Sequence, residues 1–235
     1  MTKLSKVVIY DLLFQFRHGF YFAYLFVSII YIMLLKLLPE HVVELSSILI
    51  VFSDPSFLGF FFIGGILLLE RNQGVHAPLF VTPFQVRHYL WGKAVSLSVL
   101  SVMSSFFILF FIHGIKVNVI PLLFGIILLS FIFTFLGMFL AVRVQTVNQF
   151  LFASPLFVIL LFLPVVFFVY KEIPFWLAWL PSYSGLIVIS SGFTPVSFSN
   201  ILFSFLTLGS WVGISYIMAH QAFQKHVVKK IGGEA

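Results

Sequence analysis

Few side chains in this sequence could do chemistry, and most of those stand alone. Asp54, followed at once by Pro55, is the single acid inside a long apolar run, where an ionisable group costs about 2.5–3.5 kcal/mol on insertion scales. Two readings of it are open. It is a pathway contact or proton-binding carboxylate, or it caps a second half-helix starting at Pro55, because Asp followed by Pro is a helix-start signal. A cap would leave that span broken toward its outer end. Further along, Ser98, Ser101 and Ser105 recur at spacings of three and four on one helical face, with Ser104 beside them. Small hydroxylated residues let helices approach closely and bond across the contact, worth about 0.6–2 kcal/mol each. The same face could line a route for an amphipathic substrate.

Enzyme chemistry finds little to build on. There is no H-E-x-x-H pair for an intramembrane metalloprotease and no second acid at the depth of Asp54 for an aspartyl type. The seven histidines fall at the flanks of apolar runs or between them, none at metal-ligand spacing from a carboxylate. Cysteine is absent, which removes disulfides, thiolate metal sites and cysteine nucleophiles. A G-x-x-x-x-G-K-[ST] phosphate loop is also absent, and no segment is large enough to fold a nucleotide-binding domain. This chain is therefore expected to carry no cofactor and no catalytic residue.

The elements that must hold these residues are membrane helices. Of the 235 residues, 61% are apolar, 19% aromatic and 9% charged, against roughly 25% charged in a soluble domain. Uncharged apolar stretches of about 20 residues lie near positions 19–38, 47–69, 94–112, 119–141, 150–170 and 200–219. They predict an all-α polytopic protein with six transmembrane helices, a single transmembrane domain over 1–235. Pro174, Pro181, Gly185, Gly192 and Pro195 break the apolar segment 173–196, which reads as an outer interfacial or re-entrant piece before the last span. Pro155 and Pro164 could kink span five. Lys3, Lys6, Arg17, Arg71, Arg87, Lys93, Arg143, Lys225, Lys229 and Lys230 fall on one side of the alternating loops, and only Lys36, Lys116 and Lys171 on the other. The positive-inside rule makes the first side, with both termini, cytoplasmic, and places the chain in the cell membrane. The formal charge of +6 then follows from topology and anionic lipid headgroups, and no nucleic acid is needed. The first apolar run exceeds a signal-peptide core and is expected to be retained. Residues 3–18 read as a cytoplasmic interfacial helix or as an extension of the first span. Between spans five and six, Tyr170, Phe175, Trp176, Trp179 and Tyr183 suggest an aromatic belt at the headgroups.

The one sizeable inside loop, 70–93, has internal order. Gly74 should break the exit from span two, and residues 75–81 can form one or two short amphipathic turns along the membrane surface. Thr82 can cap a helix opened by Pro83, with Gln85 completing a capping box, so a helix is expected from Pro83 into span three. Glu70-Arg71, Gly74, Val81-Thr82-Pro83-Phe84, Tyr89-Leu90 and Gly92-Lys93, at these spacings between spans two and three, resemble the corresponding loop of ABC-2 type transporter permeases. The six-span plan with both ends inside, the amino-terminal helix and the broken outer segment agree with that family over nearly the whole chain. The resemblance implies a coupling helix that docks into a separate ATPase subunit, which would bind the ATP and magnesium. Residues 71–81, with Val75, Leu79 and Val81 among them, would make that contact, and Glu70 would anchor the end of span two. Pro78 sits where the family usually continues a helix, so the coupling helix would be short or kinked. A second permease subunit, identical or paralogous, is implied as well. The expected function is the permease of an ATP-driven exporter moving a hydrophobic or amphipathic drug, lipid or peptide. A membrane scaffold or sensor that binds a cytoplasmic partner without transport is the alternative.

Overall fold

Because hydrocarbon offers no partner for backbone N–H and C=O groups, each apolar run must satisfy them within itself, and it does so as helix. The computed structural model describes residues 3–81, 84–114, 116–170 and 175–229. In chain order these form α1 (Lys3–Arg17), α2 (Phe20–Leu37), α3 (Glu40–Ser53), a π-helical turn (Asp54–Leu58), α4 (Gly59–Asn72) and α5 (His76–Val81). Then come α6 (Val86–His113), α7 (Val119–Ala141), α8 (Val147–Tyr170), a 3-10 turn (Phe175–Trp179), α9 (Pro181–Ser190) and α10 (Phe198–Phe223), the last continuing as a π-helical turn (Gln224–Val228). No strand occurs among the described residues. Six helical stretches are long and apolar enough to cross a membrane: Phe20–Leu37, Glu40–Asn72, Val86–His113, Val119–Ala141, Val147–Val169 and Phe198–Val228. These are the six spans expected, and the chain is a multi-pass membrane protein. Several run past their apolar limits, because a helix continues into the polar boundary as long as its backbone stays bonded.

α7 is the hub. Apolar around its whole circumference, it packs against α4, α6, α9 and α10. A Cβ on Gly137 would stand 2.6 Å from the Phe60 carbonyl oxygen, so α7 and α4 approach backbone to backbone there. Trp91 of α6 meets Phe131 and Phe135 of α7 edge-on at 5.4 and 5.2 Å, filling the next groove. α2 and α8 instead turn large side chains outward: Phe22, Phe26 and Met33 on one, Phe152, Leu156, Ile159 and Leu160 on the other. In water such faces would be a liability; in a bilayer they are the lipid-facing surface.

Three local expectations change or narrow. Span two is not broken at Asp54, and Asp54 does not cap. Ser53 and Asp54 keep right-handed helical dihedrals, and the helix passes Pro55 through a five-residue π-helical turn. Pro55 lacks an N–H, and a wider turn absorbs the missing bond without ending the helix. The Ser53 and Ser56 hydroxyls donate to the carbonyls of Ile50 and Phe52 at 2.9 and 2.7 Å. Of the two readings of the segment before the last span, interfacial or re-entrant, its helix fits the second. Its ten-residue α9 is buried among α3, α7, α8 and α10, with Gly185 against Leu129. Too short to cross, it fits a gap that only the assembled bundle creates. Third, α6 begins at Val86 with Gln85 as its extended N-cap residue, not at Pro83; Thr82 and Pro83 lie outside the described residues. α8 runs on through both Pro155 and Pro164.

Gly137→Val should destabilise the bundle by at least about 1–3 kcal/mol, because the obstacle is the Phe60 backbone and no side-chain rotation clears it. Thermal unfolding of the detergent-solubilised variant checks this, with Gly65→Ala, where a Cβ meets nothing within 4 Å, as the tolerated control.

Candidate functional site

The end of the bundle carrying α1 holds most of the expected coupling residues, and the way α4 stops sets their positions. The Gly74 N–H bonds to the Arg71 carbonyl and the Val75 N–H to the Glu70 carbonyl, both at 3.0 Å, with Gly74 left-handed at φ 69°. This is a Schellman ending, which only glycine adopts without strain. It turns the chain sharply into α5, and keeps Glu70 inside the bundle while Val75 is exposed.

Glu70 is one corner of a buried ionic cluster. Lys93 Nζ of α6 lies 2.5 Å from Glu70 Oε1 and 2.7 Å from Asp11 Oδ1 of α1. The Tyr89 hydroxyl donates to Glu70 Oε2 at 2.5 Å. Lys93 is 3% exposed and also faces the rings of Phe14 and Tyr89 at 5.7 and 5.4 Å. One turn on, Gln15 Nε2 donates to Ser96 Oγ at 3.0 Å, a second tie between α1 and α6. Gly92 permits the approach, since a Cβ there would collide with Val7. Burial pushes the Asp11 carboxyl above its ordinary pKa, and the nearby Lys93 only partly offsets this. Three helices distant in sequence are thus pinned by one ammonium, a geometry in which losing a single partner strands the other charges.

α5 stands over this cluster. Leu79 packs on the core, and the Phe80 ring meets Tyr89 at 5.9 Å and Phe223 of α10 at 5.3 Å. A cavity of about 450 Å³ separates α5 from α1, lined by Tyr10, Asp11, Glu70, Val75, Leu79 and Lys93 among others. Arg71, beside Glu70, donates from Nη1 to the Val144 carbonyl at 2.7 Å, tying the end of α4 to the connection between α7 and α8. Of the residues expected to couple, Glu70, Arg71, Gly74, Val75 and Leu79 gather here. Val81 closes α5, and Pro78 lies within its six residues.

The second candidate site lies at mid-bundle. Asp54 is 1% exposed, and neither carboxylate oxygen has a hydrogen-bond partner. Ser104 and Ser105 of α6 adjoin its carboxylate, and Tyr24 and Tyr31 of α2 stand within its electrostatic reach. The Tyr24 and Ser101 hydroxyls face each other and likewise lack partners, as does Ser105. Ser104 is bonded to Ser28 at 2.8 Å. Ser105 thus stands beside Asp54, and Ser101 beside Tyr24. Ser98 joins neither: it is buried but donates to its own helix at Val95.

Sequence reasoning missed Asp11, Tyr24 and Ser28, and took Tyr89 and Lys93 only as marks of the loop. α1 carried a usable signal. Its buried positions are polar, Asp11 and Gln15 one turn apart, whereas Ile9, Tyr10, Leu13 and Phe16 are exposed. A helix whose inward stripe is polar has a partner of opposite charge to find. Lys93→Met should lower stability by about 3–5 kcal/mol by removing the cation that two buried acids share. Adding Asp11→Asn and Glu70→Gln should recover most of that loss, and unfolding temperatures of the three chains, wild type included, in one detergent decide it.

Comparison with known proteins agrees with a transport subunit. The fluoroquinolones export permease proteins of two Mycobacterium tuberculosis strains, CDC 1551 / Oshkosh and H37Rv, are each 26% identical over 137 residues, 58% of this chain and 58% of theirs. The chain thus aligns with somewhat over half the length of these relatives. A family description matches almost end to end, over residues 2–231, and by it the chain belongs to the fluoroquinolones export permease protein family.

Proposed function

We propose that this chain is the membrane subunit of an ATP-driven exporter of the ABC-2 type, working with a separate ATPase and with a second permease, identical or paralogous. The observation that carries this reading is the buried Asp11–Lys93–Glu70 cluster beneath α5. A push on α5 from a soluble partner would pass through Phe80 and Tyr89 into the end of α4, the start of α6 and α1 together. A loop that merely connected two spans would have no use for such a brace. The basic residues gathered at this end support a cytoplasmic orientation for it, and so for both termini, because lysine and arginine concentrate in inside loops.

ATP and magnesium would bind the partner. Its closure on ATP would shift α5, and rigid helices would pass the displacement to the pathway between spans. The cargo is a hydrophobic or amphipathic small molecule. The relatives' printed name supports a drug of the fluoroquinolone kind, and the apolar interior around α7 suits such a molecule better than a sugar or an inorganic ion.

Two measurements test the reading. Mild-detergent purification from native membranes should recover a soluble ATPase with the chain. Val75→Asp or Pro78→Asp, charges on the exposed side of the α4–α5 turn and α5, should reduce permease-stimulated ATP hydrolysis at least about ten-fold, a loss of about 1.4 kcal/mol in coupling, with unfolding temperature unchanged. Full stimulation in both variants would remove α5 from the docking surface.

A further inference from the structure

Asp54 presents a physical contradiction that the bundle does not resolve internally. It sits near the middle of a 33-residue span, 1% exposed, with both oxygens unpaired. No basic side chain pairs with it among the described residues. Around it the hydroxyls of Tyr24, Ser101 and Ser105 are buried and also without partners. One such group is tolerable; a buried carboxylate with buried hydroxyls beside it and no cation is a set of acceptors and rotatable donors that a cationic guest would satisfy.

A cleft lies beside this cluster. About 160 Å³ in volume, it lies between α2 and α6, is walled by apolar side chains such as Leu25, Met103 and Phe107, and shares Tyr24, Ser28 and Ser104 with the polar cluster. Leu25 and Met103 are exposed on the outer, lipid-facing surface of the bundle. Approach is thus through hydrocarbon, and the destination is anionic. The guest that satisfies both is an organic ammonium. Its N–H groups donate to the carboxylate and hydroxyl oxygens, its charge offsets the buried anion, and its apolar body rests against the cleft. A neutral alcohol would supply one donor and no charge.

We propose that Asp54, Tyr24, Ser101 and Ser105 form a binding site for lipophilic amines that enter from the bilayer between α2 and α6. The site deepens the transport reading above by giving its pathway a preference for protonated amines. Asp54 acts as the counter-ion, held in the π-helical turn Asp54–Leu58 that packs against α6 and α7.

The test needs neither ATP nor a second subunit, so its failure leaves the transport reading standing, and a failure of transport leaves the site standing. The full chain is placed in phosphatidylcholine nanodiscs, and saturable binding of radiolabelled phenylbutylamine is compared with that of phenylbutanol. The expected result is saturable binding of the amine alone, weakened at least ten-fold by Asp54→Asn and less by Asp54→Glu. Equal amine binding by wild type and a folded Asp54→Asn chain, or equal affinity of the wild type for the alcohol, would overturn the proposal. If Asp54→Asn fails to fold, Met103→Trp narrows the cleft without touching the polar cluster. It should reduce amine binding by a similar factor, and unchanged binding there would also overturn the site.

Discussion

A lysine ammonium buried where three helices meet governs one end of this molecule. Taking a charge out of water costs several kcal/mol, and that cost is recovered only when partners surround it at short range. Lys93 has Asp11 and Glu70 at 2.7 and 2.5 Å, and Tyr89 bonds the far oxygen of Glu70. Its demand for two acids holds α1 against α6, fixes where α4 ends, and keeps the turn at Gly74 in place beneath α5. Apolar packing alone is non-directional and would let these helices slide; the ion cluster gives them one register.

The two polar clusters of the bundle obey the same electrostatics and reach opposite outcomes. Around Lys93 the charges answer one another across three helices, which makes a brace. Around Asp54 the neighbours are hydroxyls with no cation among them, and several close no bonds at all. A brace suits the transmission of force, because an ion-paired cluster moves as a unit. An unsatisfied carboxylate suits recognition, because its interaction energy becomes available only when a guest arrives. Helix geometry alone does not separate these roles; both sites draw on α6, within about three turns of each other.

Much of the fold was legible in the chain. Six apolar runs fixed six helices, since in hydrocarbon no other open structure satisfies the backbone, and residues 119–141 were read to the residue. Gly74 was read as a helix end because its special backbone freedom is a local property, and the short helix after it, containing Pro78, was also within reach. The helix start assigned to Pro83 was not sound. Capping signals are weak, about 1 kcal/mol, and the packing of Phe84 and Val86 against the core prevails over them. At Asp54 the same local rule failed, because a helix held by neighbours on both sides absorbs a proline in a wide turn more cheaply than it breaks.

Composition and periodicity by themselves determined that the chain is a six-span helical bundle, which end is basic, and that Ser101 and Ser105 share a face. These follow from transfer free energy and a 3.6-residue repeat, both properties of neighbours along the chain. Tertiary structure decided which charges meet. That Lys93 is a buried strut and not a loop cation, that Asp11 is its partner across 82 positions, and that Asp54 lies beside hydroxyls with no cation paired to it among the described residues all depend on which helices lie side by side. The energy of a charge pair falls with distance in space, and sequence separation carries no record of that distance.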